Sequence, residues 1–420
     1  MKKIAVIGGG IAGLTAVWRL GQSNEVVLFE GEQKPGFGAH SLAYQNNPTL
    51  IDTPLRVFYK GYYPNLTKLY DELDIESEWV NYESSFSMQN EASFFNYKNL
   101  RLGSASIPFM PFNTIGRQSM DIIANLGKFY VQGYVHQKQG RTLGLSAQDY
   151  LEQHRFSESF IYRFLYPAFC GICTCSVDAI KQYPIDFIID YLHQGVMWQG
   201  VHRVKNGVQE VIEKINTRAS QVHCGLNIEC VEYQDNGVCL TDQNQNKHYF
   251  DGVIIAAQAP KALNMLGQGF EQEKQCLSDI EFESSDVVVH TDTNLAPKDS
   301  KAWRSVNFIL PENYTEEKTM ATIWLNQVMP NNWEQPVFET WNPVVEPNPD
   351  KVLKKVTFIR PLASSKSMQA STKLNQMQTE AKNVKGRKVW FCGSYLSSQI
   401  PLLESAVKST VNVVESMKRA

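Results

Sequence analysis

The first thirty residues restrict the fold more than any other stretch. An apolar run, Ile4-Ala5-Val6-Ile7, leads into Gly8-Gly9-Gly10-Ile11-Ala12-Gly13 and a helix-like segment from Leu14 to Leu20. A second apolar run, Glu25-Val26-Val27-Leu28-Phe29, closes on Glu30. The order is strand, glycine turn, helix, strand, acid. Glycines 8, 10 and 13 satisfy G-x-G-x-x-G, and each has its own task. Gly8 allows the tight turn, Gly10 lets backbone approach a pyrophosphate, and Gly13 lets helix and strand pack closely. The helix N-terminus at Ile11 and Ala12 offers free N–H groups and partial positive charge to phosphate. Glu30 stands 17 residues after Gly13, near the spacing of an acid that accepts from ribose hydroxyls. It would repel a 2′-phosphate, which argues against NADP. FAD and NAD remain equally compatible with this stretch.

The chain's 420 residues suit two or three domains. Hydrophobic residues make up 43% and charged residues 20%, ordinary values for a globular protein. A net charge of −3 offers no bulk attraction to nucleic acid. No apolar run approaches the roughly 20 residues of a membrane span, and no signal-peptide core opens the chain. The expectation is a cytoplasmic protein without a transmembrane segment, with contact at a membrane surface left open along with the oligomeric state. Of eight cysteines, Cys170, Cys173 and Cys175 cluster, but no second Cys or His pair stands at zinc-ligand spacing. They read as reduced, packed thiols, and no metal site is expected.

Residues 31–41 form a loop after the second strand, with Gly36, Gly38 and Pro35 as its breakers. His40 and Ser41 there are candidate donors to phosphate or ribityl oxygens. Leu50-Ile51-Asp52-Thr53-Pro54-Leu55-Arg56 follows, and then Tyr63-Pro64-Asn65 opens an amphipathic helix with Leu66, Leu69, Tyr70 and Leu73 on one face. Ser146 to Leu151 reads as a capped helix start. Residues 227–257 read as two hairpin-like strands and a buried one. Residues 281–362 read as successive antiparallel strands flooring a cavity.

Taken together, the glycine fingerprint, Glu30, Gly38-Ala39-His40, Ile51-Asp52-Thr53 and Tyr63-Pro64-Asn65-Leu66 resemble the amine oxidase and phytoene desaturase superfamily of FAD enzymes. The nearest likeness is to predicted FAD-dependent oxidoreductases whose genes often accompany cyclopropane-fatty-acid-synthase-like methyltransferases. Ser84-Ser85-Phe86-Ser87, His290-Thr291-Asp292, Trp303 to Asn307 and Thr340-Trp341-Asn342-Pro343 carry the likeness downstream. The resemblance implies an α/β fold: a Rossmann-like FAD-binding domain plus an α+β substrate domain containing a mixed or antiparallel sheet. It implies an FAD domain built from 1–78, 198–282 and 384–420, and a substrate domain from 79–197 and 283–383. It places Gly8, Gly10, Ile11, Ala12, Gly13, Glu30, Gly38, His40, Ser41, Thr53, Pro54 and Leu55 against non-covalent FAD. Ile228 would contact adenine, Gly393 and Ser394 the ribityl phosphate, and Leu403, opening the last helix, the flavin.

Departures from that pattern fall at the reaction centre. The relatives' Gly-Phe-His-Glu-Asp-Gly before the last helix is replaced by Ser397 to Leu403 here, their Asp-Thr-Gly-Phe is Asp52-Thr53-Pro54-Leu55, and their late His-Pro is Arg360-Pro361. No catalytic acid or base follows from the sequence; Arg56, Tyr59 and His290 are candidates. Phe58, Trp303, Asn307, Trp324 and Trp341 are candidate pocket residues. The expected chemistry is hydride removal to flavin N5 from an apolar, lipid-like or biosynthetic substrate. The alternatives are an amine oxidase releasing imine and hydrogen peroxide, and a non-catalytic FAD-binding partner in a biosynthetic complex.

Overall fold

In the computed structural model, Lys3–Ile7 is the middle strand of a five-stranded sheet in the order Val389–Phe391, Gly252–Ile255, Lys3–Ile7, Glu25–Glu30, Gln221–Cys224. The structure describes every residue except 48, 104, 197, 198, 316, 381–384 and 420. All four pairings in this sheet are parallel. Parallel strands are covered on both faces, and this is why the central ones read as unbroken apolar runs: Ile4 to Ile7 and Val26 to Phe29 are all buried. The sheet joins segments from the start, middle and end of the chain. The expected domain junctions at 197/198 and 383/384 lie outside the described residues.

Helix Ile11–Leu20 covers one face, and the last helix, Leu403–Met417, packs on it. Thr410 Oγ1 donates to the Ala12 carbonyl at 3.1 Å. The expected hairpin is present as Ile228–Gln234, Gly237–Asp242 and Lys247–Phe250, an antiparallel three-stranded sheet. Ser146 caps helix Ala147–Gln153 through a reciprocal pair with Asp149. The long helix Arg117–Lys138 lies in a region where the sequence offered no readable motif.

The second large sheet has eight strands in the order Val352–Pro361, Phe282–His290, Phe338–Trp341, Met320–Trp324, Val306–Leu310, Ser84–Met88, Ser93–Leu102, Ala105–Phe109. Only Val306–Leu310 and Ser84–Met88 run parallel, so it is the mixed sheet expected. Helix Tyr166–Cys173 presses against it. A Cβ on Gly171 would lie 2.5 Å from the Phe308 ring, so the approach needs glycine. Cys170, Cys173 and Cys175 are buried in this packing, and desolvation raises the thiol pKa of Cys170 and Cys175 well above the ordinary value.

Helix Pro64–Glu72 is joined to the last helix by one side chain. None of its own residues caps its N-terminus. Glu404 does so from a distance: Oε1 accepts from Asn65 N (3.2 Å) and Nδ2 (2.6 Å), and Oε2 accepts from Leu66 N (3.0 Å). Removing this buried acceptor strands two helix N–H groups. Glu404→Ala should lower the unfolding free energy by about 2 kcal/mol in chemical denaturation. Glu404→Gln, which keeps an acceptor oxygen, should cost less than half of that.

Candidate functional site

The glycine turn is built as its spacing requires. Gly8 has φ +105°, and a Cβ there would lie 2.9 Å from the Ala256 carbonyl oxygen. A Cβ on Gly13 would lie 1.8 Å from the Gly8 carbonyl oxygen, a distance no side chain can occupy. Gly10 has open space where its Cβ would be, and with Ile11 and Ala12 it lines a cavity of about 630 Å³. The first N–H groups of helix Ile11–Leu20 have no intrahelical partner and point to that space.

Glu30 does more than its spacing indicated. Its Oε2 accepts from Gly9 N (2.7 Å) and Gly36 N (3.0 Å), and its Oε1 from Glu32 N (2.9 Å). It ties the glycine turn to the following loop while using three of about four acceptor positions of a carboxylate. Ser41 is engaged differently from its expected donor role. Its Oγ donates to Asp52 Oδ1 (3.2 Å), and Asp52 Oδ2 accepts from Val208 N (3.1 Å). Burial pushes the Asp52 carboxyl pKa up. His40 sets its ring edge-on to Phe358 at 5.4 Å, and burial lowers its pKa. Gly38 packs on Ile212. Thr53 is buried with an unpartnered Oγ1. Ile228 sits in the core between the parallel sheet and the hairpin, and it does not line the cavity.

From the turn the cavity passes Pro54, Leu55 and Arg56, then Gly393 and Ser394, then Leu402 and Leu403 at the start of the last helix. It continues between the eight-stranded sheet and the helices as an apolar chamber walled by Tyr59, Tyr82, Phe86, Phe169, Phe308 and Trp341. Of the expected pocket residues only Trp341 lies there. The sheet's alternation explains this. Val306 and Phe308, Ala321 and Ile323, and Trp341 face the cavity, so Asn307, Trp324 and Thr340 face away. On that reverse face Asn307 accepts from Ser85 Oγ (2.8 Å) and Arg304 N (2.9 Å). Trp303 donates to the Pro297 carbonyl. His290 is fully buried there, paired with Thr340 Oγ1 at 2.7 Å and with Asp292 N at 3.1 Å, and burial takes its pKa down to about 4. It is a packed neutral imidazole outside the cavity. Phe58 packs away from the cavity on Tyr63, Tyr70 and His202.

Two charged groups line the cavity, and a buried carboxyl lies behind its wall. Arg56 and Arg360 line it, and the Nε of each is buried without a partner. Among the described residues neither guanidinium forms an ion pair. Desolvation, then Arg360, lowers the Arg56 pKa to about 10. Glu339 was not among the sequence candidates. It shares the strand face of Trp341, two residues on, and both its oxygens accept from Leu55 N (2.9 and 3.1 Å). Burial raises its pKa to about 8. Strand alternation from Trp341 was the signal that could have found it.

These features define a dinucleotide-binding site of Rossmann type opening into an apolar chamber. Residues 6–73 match the family described as an NAD(P)-binding Rossmann-like domain. No curated protein matches the chain. Solved structures share the fold over nearly its whole length. A CLA-producing fatty acid isomerase from P. acnes matches at TM-score 0.67 and 15% identity, covering 99% of this chain and 98% of its own. A putrescine oxidase variant redesigned for cofactor binding matches at TM-score 0.63 and 11% identity, covering 100% and 99%. A reduced UDP-galactopyranose mutase matches at TM-score 0.62 and 12% identity, covering 99% and 93%. An isomerase, an oxidase and a mutase on one fold mean that the fold does not choose the reaction.

The Glu339 carboxyl gives a pH signature. Its folded pKa lies above its ordinary 4.5, so the folded protein holds a proton that the unfolded chain releases between about 4.5 and 8. Stability therefore falls as pH rises through that window and levels off above it. Glu339→Gln, which keeps the acceptor for Leu55, should remove this loss. The difference in melting temperature between variant and parent, both free of cofactor, should grow from pH 5 to pH 8 in the variant's favour.

Proposed function

We propose that this protein is an FAD-dependent oxidoreductase that removes a hydride from a largely apolar substrate. The observation that carries the reading is the continuity of one cavity from the glycine turn to an aromatic chamber. The residues present fit the cofactor. Open space at Gly10 suits close approach of a pyrophosphate, and the Arg56 guanidinium, its Nε without a partner and its Cζ 5.2 Å from the Phe37 ring centroid, suits an anion. Glu30 retains an acceptor position for a ribose hydroxyl. Gly393, Ser394 and Leu403 would line the ribityl and ring portions. Bound FAD would supply a two-electron hydride acceptor at N5.

The chain's own residues then have distinct tasks. The N-terminus of helix Leu403–Met417 directs its partial positive charge into the cavity. Glu339 holds the Leu55 backbone and, with its raised pKa, keeps a proton near neutrality instead of a buried charge. Tyr59, Tyr82 and Phe169 exclude water and orient an apolar chain. Arg56 and Arg360 favour a neutral or anionic substrate over a protonated amine, which they would repel. This ranks dehydrogenation of a lipid-like acid above amine oxidation. The fatty acid isomerase among the structural neighbours is consistent with a chamber of this shape, while its own reaction stays its own.

Absorption spectra before and after acid precipitation test the cofactor. A yellow supernatant containing FAD is expected, with no covalent link. A colourless protein that FAD cannot reconstitute overturns the reading. Arg56→Gln should weaken FAD binding by about tenfold in a fluorescence titration, the loss of one charge-assisted contact, with the melting temperature of the FAD-free protein unchanged or raised. Arg360→Met should raise KM for a long-chain carboxylate about tenfold or more while leaving that of its neutral ester unchanged.

A further inference from the structure

Among the described residues, eleven of the seventeen exposed large hydrophobic side chains fall between positions 100 and 135. They occupy two adjoining elements: the hairpin Ser93–Leu102 and Ala105–Phe109, and helix Arg117–Lys138 with the turn before it. Phe112, at the head of that turn, is 92% exposed. The helix buries Ile122, Phe129 and Gly133 and turns Met120, Ile123 and Val131 outward, Val131 being 65% exposed. Those outward positions recur at helical spacing, so they form a stripe along about 17 Å of helix. Exposed apolar side chains concentrated on adjoining elements in this way mark an interaction site.

Two further observations identify the occupant. The first is charge. Residues 93–143 contain six Lys and Arg and a single acid, Asp121, in a chain whose net charge is −3. Asp121 is engaged by Ser157 and Asn125, and Lys98, Arg101, Arg117 and Lys138 surround the apolar side chains in sequence. An apolar surface with a basic border complements an anionic lipid headgroup layer over acyl chains. The second is continuity. Phe109 and Ile123 belong both to the exposed patch and to the cavity wall, together with Pro108, Met110 and Leu126. The apolar chamber thus opens at the patch.

We propose that this face docks on a bilayer containing anionic phospholipid and that the chamber takes an apolar substrate directly from the membrane through the gap between the hairpin and the helix. No helix of the described residues is long and apolar enough to cross a membrane, so the contact is interfacial. The docking half of the proposal stands independently of the cofactor assignment.

Flotation of the full-length protein with phosphatidylcholine vesicles, and with the same vesicles containing phosphatidylglycerol, tests it. Binding is expected to the mixed vesicles and to weaken with salt. Phe112→Glu/Val131→Glu should reduce partitioning at least about tenfold. Lys98→Gln and Arg117→Gln should each reduce it about fivefold, on anionic vesicles only. Both changed apolar positions are exposed, so melting temperatures should match the parent, and Phe112→Ser serves as the milder variant. Absence of parental binding to either vesicle overturns the proposal. So does a concentration-dependent dimer in sedimentation that Phe112→Glu dissociates while vesicle binding is nil, because the face would then belong to a second copy of the chain.

Discussion

A methyl group on residue 13 would lie 1.8 Å from the Gly8 carbonyl oxygen, and the structure depends on that space staying free. Only glycine lets helix Ile11–Leu20 come down onto the strand that precedes it. That approach aims the helix N-terminus into the cavity and presents the helix flank to the last helix, Leu403–Met417. The last helix in turn supplies Glu404 to cap Pro64–Glu72. The chain's end is therefore held by its beginning through short, buried polar contacts as well as apolar packing.

The cavity combines apolar walls with two guanidinium groups that no described residue pairs. Among the described residues Arg56 and Arg360 lose hydration without gaining an ion pair, and Glu339 answers burial by holding its proton. Such groups are costly for the protein by itself and become favourable when an anion shares the guanidinium donors. The same economy of charge explains why Asp52 spends its oxygens on Ser41 and Val208.

Alternation in the eight-stranded sheet divides two chemistries that the sequence interleaves. One face carries Val306, Phe308, Ala321, Ile323 and Trp341 and builds the chamber. The other carries Asn307, Thr322, Thr340 and His290 in a closed hydrogen-bond network, in which Thr322 and Thr340 are 2.9 Å apart. Satisfied buried polar groups of that kind specify one register, because a one-residue slip would put them into the apolar chamber and the aromatics into the network.

The amino-acid sequence by itself determined the dinucleotide half. Period-specific apolar runs, three glycines and a terminal acid act through local backbone geometry, so Gly8, Gly10, Gly13 and Glu30 were readable at their positions, as were the cap at Ser146 and the helix at Pro64. The tertiary structure alone decided which long-range side chains meet. His290, Trp303, Asn307, Trp324 and Phe58 look chemically able in the sequence, yet strand parity and packing turn them away from the cavity. Arg360 and Glu339 stand far along the chain from Arg56. Only sheet register and helix docking bring them to one place. The exposed face of helix Arg117–Lys138 was equally hidden, because an apolar residue in a sequence does not say whether its neighbours in space will cover it.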